Sequence, residues 1–172
     1  MTPARAETGI AVNLKEKIVG REQLAAWRKA QAAVGRRVVA TNGCFDVLHA
    51  GHVSYLEAAR NLGDALVVGL TDDAAVRALK GAGRPVNSAM DRATLLAALE
   101  SVDAVFVFGG ANAIPFLEVA EPDLYVKGGD YTVDTINQDE RRFLDAARRK
   151  IVILPAVPGK STTALLEKIS RL

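Results

Sequence analysis

The chain has 172 residues, 49% of them hydrophobic and 24% charged, with a net charge of +2 and aromatics at only 5%. That balance fits one globular domain of α/β type with a sizeable core, and it excludes a disordered or fibrous chain. The small net charge, the single cysteine and the shortness of every apolar run argue against a nucleic-acid binder, an intrachain disulfide or multi-cysteine zinc site, and a membrane span.

Residues 1–16 show no periodic apolar pattern and are expected to form a flexible extension ahead of one domain over 17–172. They also lack the apolar core of a signal peptide, so the expected location is the cytoplasm. The spacing predicts a helix over 21–34, with Leu24, Trp27 and Gln31 on one face and Gly35 as its stop. Apolar runs at 38–40, 65–70, 104–108, 124–126 and 151–154 read as buried strands. Helical spacing follows near 51–62, 72–80, 112–120, 138–149 and 162–171. A further helix over 89–100 opens at Ser88, with Asp91 three residues on as in a capping box. Such alternation implies a parallel sheet with helices on both faces, and ligands in such sheets bind beyond the carboxyl ends of the strands. The cations Arg141, Arg142, Arg148, Arg149 and Lys150 stand among Asp139, Glu140 and Asp145, a pattern that reads as a solvated helix face.

The first strand end is TNGCFDVLHAGH, residues 41–52, with strand one ending at Thr41 and a helix beginning near Gly51. Both histidines of the chain, His49 and His52, fall here three residues apart. A helix start offers unpaired N–H groups and the positive end of the helix dipole, and two imidazoles beside it add donors. Gly43 and Gly51 let the backbone approach a phosphate closely. Together these residues make a triphosphate cradle. A metal site on Asp46, His49 and His52 is the rival reading, but no other histidine completes a zinc set, and no metal site is expected. Cys44 reads as a small buried filler, because no step considered needs a thiolate.

Further along, LKGAGRPVNSAMDR at 79–92 places Lys80, Arg84 and Arg92 on or near a glycine-containing loop, which can close over phosphates as a lid. VKGGDYT at 126–132 follows the fourth strand. There Gly128 and Gly129 allow a tight turn against a ligand, Lys127 adds a cation and Asp130 an acceptor. PGKSTTALLEKI at 158–169 makes a second helix start capped by Ser161. Its GKST imitates a P-loop tail, but Leu154 occupies the position of the first glycine, so the P-loop reading is rejected.

These segments resemble the cytidylyltransferase-like nucleotidyltransferases. The resemblance rests on the HxGH sequence His49-Ala50-Gly51-His52, on TNGCFD before it, and on the closing STT at 161–163. Within that family LKGAGRPVN, ALESVD and PDLYVKGGDY are most similar to the branch acting on D-glycero-β-D-manno-heptose 1-phosphate. The resemblance covers residues 22–172. It implies a Rossmann-like five-stranded sheet of order 3-2-1-4-5 and a homo-oligomer, a dimer or tetramer. Its stand-alone form carries no kinase domain. Two positions depart from the pattern: Ala156 stands where related cytidylyltransferases carry a basic residue, and Lys160 replaces a common Ile or Cys.

The implied reaction joins AMP from ATP to a sugar 1-phosphate and releases pyrophosphate, with Mg²⁺ arriving on the ATP. A phosphate monoester is largely ionised at neutral pH, so positioning two anions and stabilising charge is the main work left to the protein. The resemblance implies catalytic roles for His49, His52 and Lys80. It implies nucleotide contacts from Asn42, Gly43, Cys44, Phe45, Gly51, Arg92, Lys127, Gly128, Gly129, Asp130, Ser161, Thr162 and Thr163, with Arg92 at the leaving group. Asp46, Lys80 and Arg84 fall to the sugar phosphate. Neither nucleic acid nor membrane is an expected partner. The rival readings are a cytidylyltransferase for glycerol 3-phosphate or a similar alcohol phosphate, and a catalytically idle nucleotide-binding domain. A redox dinucleotide binder is disfavoured, since no GxGxxG follows a strand.

Overall fold

The computed structural model describes residues 14–129, 131–132, 134–155, 159 and 161–171. Along the chain these form α1 (Leu14–Lys17), α2 (Arg21–Ala33), β1 (Val38–Gly43), α3 (Ala50–Arg60), β2 (Ala65–Thr71), α4 (Asp73–Lys80) and α5 (Ala89–Ala97). They continue with β3 (Ala104–Phe108), α6 (Ile114–Ala120), β4 (Leu124–Gly128), α7 (Gln138–Ala146), β5 (Lys150–Leu154) and α8 (Thr162–Ile169). The five strands make one parallel sheet in the order β3-β2-β1-β4-β5.

Successive side chains of a strand point to opposite faces, and here both faces are covered. Val38, Ala40, Val67, Phe106 and Tyr125 therefore join Leu24, Phe116, Leu117 and Leu144 from α2, α6 and α7 in one core layer. Val39, Leu66, Val68, Val105 and Val126 join Leu56, Ala59, Leu96 and Ala97 from α3 and α5 in the other. This explains why the strands read as unbroken apolar runs rather than as alternating ones.

Among the described residues, four helix starts carry side-chain caps: Asp72 accepts from Ala75 N, Ser88 from Asp91 N, Asn137 from Asp139 N and Glu140 N, and Ser161 from Ala164 N. Each satisfies N–H groups that a helix start otherwise leaves bare. The short helix α1 begins in the stretch expected to be extension and ends at Lys17, the first residue of the expected domain. Lys17 there donates to Leu99 O and Val102 O at 3.2 and 2.7 Å. Residues 1–13 lie outside the described residues.

The strand order reverses direction beside β1, between β2 and β4. That reversal opens a crevice at the carboxyl ends of the strands, and it sets the position of the site.

Candidate active site

Strand β1 runs two residues past its expected end at Thr41, so Asn42 and Gly43 remain in the sheet beside Gly69 and Leu70. The chain then turns sharply at Phe45, whose φ of 43° is rare for a bulky residue. The turn sets the Phe45 ring edge-on to His52, with centroids 5.3 Å apart. His49 is the N-cap of α3 in an extended conformation, one residue before the helix begins. His52 lies in the first turn, and the two imidazoles stack at 3.9 Å with 20° between planes. The shared face expected for the two histidines is thus a direct stack, made by a cap and a first-turn residue.

Burial, and then the neighbouring His49 and Lys80, pull the His52 pKa down to about 4. His52 is therefore neutral at physiological pH, with one N–H to donate. Its buried Nδ1 has no hydrogen-bond partner among the described residues.

Lys80 is the last residue of α4, which Gly81 ends at a φ of 96°. The loop that follows is tied down rather than loose. Asp46 accepts from Val86 N and Asn87 N at 2.7 and 3.1 Å through Oδ1, and its Oδ2 pairs with Arg84 Nε at 2.6 Å. Asn87 Nδ2 donates back to Asp46 O at 2.9 Å. Asp46 was expected at the sugar phosphate; its buried carboxylate instead holds the loop that carries Arg84.

Arg92 needs a larger correction. It is fully buried and lies behind the site rather than in it. Its guanidinium donates to Asn87 O, Cys44 O, Thr71 O and Asp73 Oδ1 at 2.6–3.0 Å. A buried guanidinium must fill its donors, and here protein acceptors fill four of them. The expectation that it meets the leaving group is not met in this arrangement.

Strand β4 delivers Lys127 and Gly128 opposite α3. Gly128 leaves no room for a β-carbon against the Tyr55 ring, and Gly129 turns the chain at a φ of 86°. Lys127 Nζ donates to Asn42 Oδ1 at 2.6 Å and lies 3.8 Å from Glu140 Oε2. Burial lowers the Lys127 pKa, and Glu140 works against that shift. The Tyr125 hydroxyl sits between Asn42 Oδ1 and Glu140 Oε2, at 2.5 and 2.8 Å. Glu140 is a second correction: it belongs to a buried network under β4, not to a solvated face. Its neighbours on that helix do face solvent, where Arg142 pairs with Asp139 and Arg141 with Asp145.

These parts surround one cleft of about 630 Å³. Asn42, Gly43, Cys44, Phe45 and Asp46 line it from β1 and its loop, and His49, Gly51 and His52 from the start of α3. Lys80 and Arg84 close one side, Lys127, Gly128 and Gly129 the opposite side, and Ser161, Thr162 and Thr163 the start of α8. Every described residue expected at the site reaches this cleft except Arg92. Asp130, Ala156 and Lys160 lie outside the described residues. The sequence reading missed Tyr55, Thr71, Leu79, Tyr131 and Pro155, which also line the cleft. Tyr55 carried one unused signal, as the aromatic residue three after His52.

The profile of the cytidylyltransferase-like family matches residues 40–168, three quarters of the chain and every strand but the first two residues of β1. The chain belongs to the cytidylyltransferase-like family. Its nucleotidyltransferase domain is similar to a domain-sized part of longer relatives. The bifunctional protein HldE of Mesorhizobium japonicum is 50% identical over 146 residues, 85% of this chain and 28% of that protein. The protein of the same name from Trichlorobacter lovleyi is 41% identical over 172 residues, 98% of this chain and 35% of that one. The chain thus spans about a third of the length of these relatives. Among solved structures, the lipopolysaccharide core biosynthesis protein from Thermoplasma volcanium has a TM-score of 0.59 and 26% identity, covering 72% of this chain and 98% of its own. The pantoate-beta-alanine ligase from Francisella tularensis, with a TM-score of 0.60 and 14% identity over 90% of this chain and 78% of its own, shares the fold. Among the described residues, no helix is long and apolar enough to cross a membrane.

Proposed function

We propose that this cytidylyltransferase-like domain transfers AMP from ATP to D-glycero-β-D-manno-heptose 1-phosphate, giving ADP-heptose and pyrophosphate for lipopolysaccharide core synthesis. The observation that carries the reading is the stacked His49–His52 pair at the start of α3, in one cleft with Lys80 and Lys127. The similarity to HldE proteins supports the heptose branch.

In this reading an oxygen of the sugar phosphate attacks the α-phosphorus of ATP. A new P–O bond forms, the α–β bridging bond breaks, and pyrophosphate leaves with the electron pair. The nucleophile is already ionised, since the second pKa of a phosphate monoester is about 6. No general base is needed, and the residues present suit charge stabilisation. A neutral His52 donates an N–H without the cost of holding a buried cation before the substrate arrives. Lys80 and Arg84 face the incoming phosphate, and the starts of α3 and α8 direct backbone N–H groups at the anion. Among the described residues, no group of three or more His, Cys, Asp or Glu side chains could hold a metal ion. In this reading Mg²⁺ arrives with the triphosphate, coordinated by phosphate oxygens and water. The same reading carries a cytoplasmic homo-oligomer.

The test is pyrophosphate release with ATP, CTP and GTP, each paired with heptose 1-phosphate and glycerol 3-phosphate. ATP with heptose 1-phosphate is expected to lead by one to two orders of magnitude in kcat/KM, about the discrimination from leaving one or two buried polar groups unpaired. Faster turnover with CTP and glycerol 3-phosphate would transfer the assignment to the alcohol-phosphate branch. No turnover with any pair would mark the domain as catalytically idle.

A further inference from the structure

Lys127 and Asn42 form part of the cleft wall, yet what holds them comes from outside the cleft. Glu140, in the first turn of α7, is 3% exposed. Its Oε1 accepts the buried N–H of Ala113, the N-cap of α6, at 2.7 Å. Its Oε2 accepts from Tyr125 at 2.8 Å and stands 3.8 Å from Lys127 Nζ. Lys127 and Tyr125 both converge on Asn42 Oδ1. One carboxylate therefore connects the start of α6 to the cation and the amide that face the ligand.

Among the described residues, the charges around Lys127 are few. β1 presents the neutral Asn42, and the loop after it presents Cys44. β4 presents Tyr125, and the loop after it presents Tyr131, each ring 5.4 Å from Nζ. α3 presents Tyr55, whose hydroxyl is occupied by Thr41 and Val126. Among the described residues, Glu140 from α7 is the carboxylate of this group. An ammonium buried among aromatic rings sheds its proton readily unless an opposite charge stands close by.

We infer that Glu140 is a positioning residue of the nucleotide site: it keeps the Lys127 ammonium charged and aimed, together with Asn42, at the bound nucleotide. This rests on the reading of the cleft as a nucleotide site. Glu140 touches no ligand; it acts through Lys127.

Glu140→Gln isolates the charge from the packing. A glutamine has nearly the same shape, its carbonyl oxygen can accept the Ala113 N–H, and its amide can donate to the Tyr125 oxygen. The variant keeps the hydrogen bonds and loses the negative charge.

The experiment measures ATP affinity by titration calorimetry from pH 6 to pH 10 on the full chain, for wild type, Glu140→Gln, Lys127→Arg and the double variant. Thermal unfolding of each serves as the folding control. In the wild type, ATP binding is expected to weaken on an alkaline limb as Lys127 loses its proton. In Glu140→Gln that limb is expected at lower pH by about one unit or more, the scale for removing an opposite charge within about 4–6 Å. In Lys127→Arg the limb is expected to vanish, because a guanidinium does not titrate in this range, and adding Glu140→Gln is expected not to restore it. A purely structural Glu140 lowers thermal stability without moving the limb, and that result overturns the inference. Should Glu140→Gln fail to fold, Lys127→Arg carries the test: a limb that persists in it shows that Lys127 charge does not govern binding, and the inference fails. Absence of ATP binding in the wild type would instead overturn the proposed function.

Discussion

Gly128 ends β4 against the ring of Tyr55, at a distance that admits no β-carbon. The Tyr55 hydroxyl is fixed by Thr41 Oγ1 at 2.7 Å and by Val126 O at 3.1 Å, so the ring cannot swing aside without breaking both contacts. Gly128→Ala is therefore expected to destabilise the fold by about 1–3 kcal/mol, the usual cost of overpacking. It should also weaken ATP binding, because the displaced ring lines the cleft. Urea denaturation and titration calorimetry read the two effects. An unchanged midpoint would mean that the backbone at Gly128 yields instead.

His49→Ala and His52→Ala are each expected to lower kcat by about 10²–10³-fold, the scale for removing one preorganised donor to developing charge. Thermal unfolding should stay close to that of the parent. Because the two rings stack at 3.9 Å, losing either leaves the other mispositioned, and the double variant should cost less than the product of the two singles. Near-normal turnover in both single variants would remove the histidines from the mechanism.

The low pKa of His52 gives a signed pH prediction. The folded chain protonates this ring at about 4 and the unfolded chain at 6.5. Below pH 6.5 the unfolded state binds more protons, so this contribution to stability is fully present above 6.5 and is lost as pH falls towards 4. Bound pyrophosphate places negative charge beside the ring and should raise its pKa. NMR titration of the imidazole with and without pyrophosphate checks both statements. A ring that titrates near 6.5 in the free protein would show that it is not desolvated.

Asp46 and Arg84 offer a double-mutant cycle. Asp46→Ala leaves the partly exposed Arg84 cation and two backbone N–H groups without their acceptor, and is expected to cost about 1–3 kcal/mol. Arg84→Ala added to it removes the stranded charge and should recover part of that loss. Additive losses, measured by denaturant unfolding, would show that the pair is not coupled.

The sheet was legible because a parallel strand covered on both faces leaves an unbroken apolar run such as 65–70, and because Ser88 and Gly35 mark helix ends in plain sight. The histidine site was legible because the two histidines stand together at a strand end. Glu140 and Arg92 were not legible, and for one reason. A buried charge with its partners satisfied looks, in sequence, like any other charge on a helix. Nothing near Glu140 distinguishes it from Asp139, which faces solvent beside Arg142. The acceptors of Arg92 on three separate segments are backbone carbonyls, which leave no trace in the residue string. The hold of Asp46 on the loop that carries Arg84 was not legible either, since that loop lies forty residues away.

That last feature of Arg92 also bears on how freely the rim of the cleft can vary. Three of its four anchors are the carbonyls of Cys44, Thr71 and Asn87; only Asp73 contributes a side chain. A carbonyl is present whatever residue occupies the position. The side chains at 44 and 71, which line the cleft, can therefore drift and retune what it accepts, while the arginine keeps its hold on all three segments. Arg92 and Asp73 lack that freedom, so new specificities on this scaffold have a rigid frame to evolve within.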